Sequence, residues 1–381
     1  MAYVNAFEFL KATTAFSARD INSAIRMLQA EGVPKTETEK YRLLLISPAS
    51  RLREELLTVR EADYEKGVFT DIKAKYYCVD PVAFKKRIEN CNEPWDIQGI
   101  FAFMAREVID NEDNVKDAGY AWNRVFSCYS KFAEKANVED SFTYQFAKTD
   151  KDKEECKNAW DGFRDYLIHG IAERAKAYAA NLNDKGLDAC LFALKKQNKA
   201  VFDETLSSLT AVIGNAFMNS NNLEKASGFY KALPDVLKKN TSVAARFIDA
   251  INNGIDYLIK NPEYDHDWIF FAWVEVSDEF SDSNDITIKA ASAKFHDKVA
   301  ELMRETNKLD DDEKFMLLFK KVLDIYIYLP EDTVIATDYA SKEEYKTEAF
   351  IAVLSRRAVS IKVEKIGSKT TAADGAEMWE I

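Results

Sequence analysis

The sequence predicts an all-α protein of antiparallel helical hairpins stacked into bundles, ending in a small irregular segment with room for one strand. Three observations carry this. Glycine is scarce, 12 of 381 residues or about 3%, against a usual level of about 7%. The 7 prolines supply little turn chemistry for β-hairpins. Apolar residues recur at helical spacing behind capping signals along most of the chain. A glycine-loop nucleotide enzyme, a β-sandwich and a collagen-like chain are all disfavoured. With 47% hydrophobic and 30% charged residues the chain reads as globular, and its length sets a prior of two or three domains.

In chain order, Ser17–Asp20 is a capping signal ahead of Ile21, Ile25 and Leu28. Thr36–Glu39 reads as a second capping box, ahead of Tyr41, Leu44 and Leu45. Ser47-Pro48 ends that helix and starts another, expected to run to Gly67. Asp80-Pro81 and Glu93-Pro94 open two more, since proline at the first helical position loses no hydrogen bond. A helix is expected over 118–135, a charged loop over 137–155, and one long helix over 153–181. Helix starts follow at Asn183-Asp184, Asn221-Asn222, Asn240-Thr241, Asp265, Asp282 and Asp310. The run Phe315–Tyr326 reads as core packing. "AVSIKVEKI" (358–366) alternates like a strand. Residues 370–381 read as loosely ordered, and their apolar-acidic end "EMWEI" has the character of a docking peptide. The expected organisation is a helical hairpin over 1–67, a central bundle over 80–182, a helical stack over 183–330 and a mixed tail over 331–381.

"FEFL" at 7–10, the Ser17–Asp20 helix start and "LLLISPASRLREEL" at 43–56 together resemble a degenerate J-like domain over residues 3–66. The His-Pro-Asp tripeptide with which that family stimulates Hsp70 is replaced here by "QAEGVPKTET" at 29–38. The resemblance therefore implies a docking module without Hsp70 activation. Farther on, Ile213, Gly214, Phe217, Ala226 and Tyr230 resemble one tetratricopeptide unit, with Lys238 where the family has proline and no second copy 34 residues away.

A net charge of -12 disfavours coating of DNA. The five cysteines, Cys78, Cys91, Cys128, Cys156 and Cys190, are odd in number and dispersed, as expected of free thiols in a reducing compartment. No metal site or cofactor is expected, because no Cys/His cluster, Walker loop, calcium loop or GxSxG is present. "YDHDW", with Asp265, His266 and Asp267, reads as a helix cap. Without a leader-like start or an apolar run long enough to span a bilayer, no membrane association is expected, and the cytoplasm is the default.

One catalytic hint stands out. In "AWDGFRDYLIHGIAERAKAY", Arg164 precedes His169 by five residues, with polar Asp165 between. This resembles the R-x(4–6)-H motif of HEPN ribonucleases over residues 94–182. The resemblance implies a helical bundle that dimerises and cleaves RNA without metal, Arg164 holding the scissile phosphate and His169 transferring protons. Asp165, one helical turn before His169, would orient the imidazole. Nearby Arg174, Lys176 and Lys185 would form a basic face, diluted by Glu173 and Asp184. The leading expectation is nonetheless a non-enzymatic scaffold or adaptor, since grooves between stacked helices suit a protein partner. The HEPN-type ribonuclease, a defence or toxin effector acting on RNA as a homodimer, is the alternative.

Overall fold

The computed structural model describes residues 4–59, 91, 93–111, 118–220, 222–261, 267–280 and 284–309, the single positions 314 and 318, and the segments 369–371 and 377–379. Within them the fold is all-α apart from one short antiparallel sheet. The chain divides into two compact units, residues 1–213 and 214–381.

The first unit opens with helix α1 (Ala6–Phe9), capped by Asn5. Helix α2 (Ala18–Ala30) starts at the expected capping box. Ser17 Oγ accepts from the Asp20 amide, while the Asp20 carboxylate accepts from the Ser17 amide and hydroxyl, holding its own pKa below the usual carboxylate range. Gly32 then turns the chain at φ +96°, a left-handed conformation that side chains disfavour. Helix α3 (Lys35–Ile46) corrects the second expected box. It starts one residue before Thr36, behind Pro34, and Glu39 pairs with Arg42 instead of capping. Phe7, Leu10, Ile21, Ile25, Leu28, Tyr41 and Leu45 form the core of these segments.

Helix α4 (Pro48–Leu56) starts as expected, with Ser47 as cap and Pro48 in the first turn. It stops at Leu56 and not at Gly67. Gln98 Nε2 takes the carbonyls of Leu56 at 2.8 Å and Thr58 at 3.1 Å, and Thr58 Oγ1 takes that of Glu54 at 2.7 Å. These side chains satisfy carbonyls that another helical turn would have used.

Helix α4 is unusual in burying its charges: Arg51, Glu54 and Glu55 are each at most 6% exposed. Each is spent on backbone groups elsewhere in the chain. Glu54 accepts from the Ala6 amide at 2.7 Å, at the start of α1. Arg51 donates to the carbonyls of Thr14 (3.0 Å) and Phe16 (2.6 Å), and its guanidinium lies over the rings of Phe7 and Phe146. Glu55 accepts from the amides of Phe142 (2.8 Å) and Thr143 (2.9 Å) and from the Thr143 hydroxyl (2.5 Å).

Helix α5 (Pro94–Asn111) begins at Pro94, and α6 (Ala118–Lys135) has the expected bounds. The expected loop over 137–155 holds a 3-10 turn (Val138–Asp140), helix α7 (Phe142–Phe146) and the start of α8 (Asp150–Asp161), which has its own Thr149–Asp152 capping box. The expected long helix is two: α9 (Phe163–Ala180) follows α8 after a break at Gly162. The break lets α8 pack on α4 while α9 packs on α10 (Asp184–Gln197), which also packs on α6; α6 in turn packs on α5. Phe101, Tyr129, Phe132 and Phe163 fill the centre, with ring centroids 5.4 to 6.5 Å apart. Cys128, Cys156 and Cys190 are buried free thiols, and burial pushes Cys156 up to about 11.

Helix α11 (Lys199–Met218) carries the boundary between the units, and Asn198 caps its start. In the second unit follow α12 (Leu223–Ala232), α13 (Asp235–Lys238), α14 (Thr241–Lys260), α15 (Asp267–Phe280) and α16 (Ile286–Asn307). Asn222 and Asn240 are caps, as expected; the cap of α16 is Asp285. Phe217, Phe229, Tyr230 and Phe247 pack together, Tyr230 stacked on Phe247 at 4.4 Å. Gly214 faces the next helix: a Cβ there would meet Arg246 Cγ of α14 at 2.9 Å.

Alternate helices of this unit stack on one another. Helices α14 and α16 run parallel, since Thr241 reaches Asp285, Asp249 reaches Lys294 and Asp256 reaches Lys298 in increasing order. Helix α15 runs antiparallel to α14, because Lys238 and Lys239 at the start of α14 pair with Glu275 (3.0 Å) and Glu279 (3.6 Å) toward the end of α15. Helix α12 packs on both α14 and α15.

The C-terminal segment, read as loosely ordered over 370–381, contributes a two-stranded sheet. Strand β1 (Lys369–Thr371) pairs antiparallel with β2 (Glu377–Trp379), Thr370 opposite Met378. The expected strand over 358–366, the helix at Asp80-Pro81, Cys78, the Asp265 and His266 positions, the starts at Asp282 and Asp310, and the run Phe315–Tyr326 apart from buried Leu318 lie outside the described residues.

Replacing Glu55 by leucine orphans two amides and a hydroxyl, and is expected to cost about 3 kcal/mol in urea denaturation. Burial raises the Glu55 carboxyl above the usual range, outweighing the opposing pull of Thr143, the Phe142 amide and Arg51. Between the unfolded and the raised folded pKa, the folded chain keeps a proton that the unfolded chain has lost. The stability from this group is therefore full below that window and falls as pH rises through it. The margin of the native chain over Glu55→Gln should be widest near pH ~4 and shrink as pH rises; a margin that grows with pH would contradict this.

Candidate functional site

Arg164 and His169 both lie on α9, and the structure gives them different surroundings. Arg164 is half-buried. Its Nη2 donates to Gln197 Oε1 at 2.9 Å and sits 3.4 Å from the Gln197 carbonyl, at the end of α10. Gln197 Nε2 continues to Asn123 Oδ1 at 2.9 Å, and the guanidinium lies 5.7 Å from the Phe126 ring centre. A cation at a helix C-terminus meets the negative end of the dipole and its unpaired carbonyls. Arg164 thus has a sufficient structural task joining α9, α10 and α6.

His169 is exposed, as is Asp165. The imidazole Nδ1 lies 2.8 Å from the Asp165 backbone carbonyl. If Nδ1 carries the proton, it donates there and leaves Nε2 toward solvent. The orienting group is the carbonyl of Asp165, where the sequence suggested its carboxylate. Helix α9 continues unbroken through Gly170. Five residues on a helix turn the chain by about 500°, so Arg164 and His169 are separated by about 140° around the axis. Of the nearby cations, Arg174 donates to the Ile109 carbonyl and to Tyr178 Oη (3.2 Å), and Lys176 pairs with Glu173 at 2.7 Å.

The site that sequence reasoning missed lies in the second unit. An open cleft of about 470 Å³ is lined by Asp249, Asn252, Asn253 and Asp256 of α14 and by Lys294, Asp297, Lys298 and Glu301 of α16, with Met218 of α11. Each quartet repeats at i, i+3, i+4 and i+7, one face of a helix. The parallel pairing of α14 and α16 brings the two polar faces together. Lys298 bridges Asp256 and Glu301, both at 2.7 Å, and these bonds hold its ammonium above the usual lysine range. Lys294 lies 3.8 Å from Asp249, which also lies 3.8 Å from Arg246. Asn252 is only 7% exposed, and its Oδ1 has no hydrogen-bond partner among the described residues. An unpaired buried carbonyl is costly and calls for an explanation.

Among the described residues no group of His, Cys, Asp and Glu is arranged to hold a metal ion, and no helix is long and apolar enough to cross a membrane. No protein-family model matches the chain, and neither a curated protein nor a solved structure matches it.

Proposed function

We propose that this protein is an interaction scaffold, a non-enzymatic subunit that holds a protein partner on its stacked helices. The observation that carries the reading is the cleft between α14 and α16. It spans neighbouring helices of a stack, the location at which repeat-like architectures take their ligands, and it has the size of a small-ligand or side-chain pocket. The J-like resemblance over residues 3–66 adds a second docking element, one without the tripeptide for Hsp70 activation. The buried free thiols Cys128, Cys156 and Cys190 suit a cytoplasmic setting.

A second reading, the HEPN-type ribonuclease, is favoured by one observation: His169 is exposed, with its Nδ1 tied to the Asp165 carbonyl. In that reading a homodimer supplies two Arg164–His169 motifs to an RNA strand. It asks Arg164 to leave Gln197.

The scaffold reading predicts that the intact chain, used as bait in native lysate, recovers a stoichiometric protein partner whose crosslinks map to α14 and α16; background proteins alone would contradict it. The ribonuclease reading predicts RNA cleavage by the purified dimer at low salt. That cleavage would be lost in Arg164→Ala and in His169→Ala, with helical circular dichroism retained. Intact RNA with the concentrated native chain would exclude it.

A further inference from the structure

The residues of the α14–α16 cleft have an unequal balance of charge. Four carboxylates, Asp249, Asp256, Asp297 and Glu301, face two ammonium groups, Lys294 and Lys298. Lys298 is shared by Asp256 and Glu301, and Lys294 lies beside Asp249. Asp297 is exposed and has no ion pair among the described residues. Beside these charges stands Asn252, more than nine-tenths buried, with an acceptor oxygen that no described donor reaches. The cleft therefore has negative charge to spare and one unused buried acceptor. Both ask for a ligand that is cationic and donates N–H bonds. Met218 adds an apolar wall, against which the methylene stem of a long basic side chain can lie.

Resting on the scaffold reading, we infer that this cleft binds an arginine or lysine side chain projecting from a basic segment of the partner protein, the head group taking Asp297 and the Asn252 carboxamide oxygen. An arginine suits it best, since its fork of fixed donors can serve a carboxylate and a carbonyl at once. Neighbouring basic residues of the same segment meet Asp249 and Glu301 at the rim. There the native lysines moderate affinity and favour a segment of spaced charges over a compact polycation. Attraction of this kind acts on association rate and weakens with salt.

The probe is a fluorescein-labelled octapeptide alternating arginine and glycine, titrated against the full chain by anisotropy, with the glutamine-glycine peptide as control. The arginine peptide should bind, more weakly at physiological than at low salt, and the glutamine peptide should not. Asn252→Leu should weaken binding by about tenfold, the loss of one charge-assisted bond. Its thermal midpoint should hold or rise, because the substitution removes an unpaired buried polar group. Asp297→Asn, on an exposed position that threatens no packing, should weaken binding by a similar factor. Lys298→Met removes a competing cation and should tighten it. Equal binding of both peptides, or arginine-peptide binding unchanged in both Asn252→Leu and Asp297→Asn, would overturn the inference. Free agmatine binding at least as tightly as the peptide would also overturn it, and would assign the cleft to a small amine. If the intact chain still retains its partner while Asn252→Leu and Asp297→Asn retain it equally well, the scaffold stands and this site falls.

Discussion

The first unit depends on the burial of charge within one short helix. Arg51, Glu54 and Glu55 of α4 are nearly inaccessible, and removing them from water is costly unless each finds hydrogen bonds. They find them in the main chain: the start of α1, the turn at Thr14 and Phe16, and the start of α7. The same bonds that offset desolvation fasten three stretches distant in sequence to a single helix. Gln98 closes the other end of α4 and ties it to α5. Apolar burial packs these helices, while the polar network fixes which neighbour each one meets.

The second unit follows a different rule. Its helices bury continuous apolar faces, and their order is set by alternation: α14 on α16, with α15 antiparallel to α14 and α12 against both. Parallel stacking of alternate helices places equivalent faces side by side. Where those faces are polar, as at Asp249–Asp256 and Lys294–Glu301, the result is a lined cleft. In this account recognition arises from the stacking itself, with no dedicated loop.

Much of this was legible in the sequence. Ser17, Ser47, Asn183, Asn222 and Asn240 all cap helices where their positions predict, because an N-cap is a local bond between a side chain and the next turn. The errors fall where tertiary contacts decide. The end of α4 is imposed by Gln98, more than forty residues away in sequence. The break at Gly162 separates helices that pack on different partners, though the helical pattern runs through it. The cleft was invisible for a related reason. Polar residues at i, i+3, i+4 and i+7 read as a solvated face until the facing helix is known. The Arg164–His169 spacing was legible, but spacing alone did not reveal that Gln197 and Asn123 already occupy the arginine.

The most direct measurement is hydrogen exchange followed by mass spectrometry on the full chain, alone and bound to the partner it retains. The account predicts that protection on binding concentrates in residues 241–260 and 286–307. Protection confined to the α9 segment around Arg164 and His169, with α14 and α16 unchanged, would contradict it.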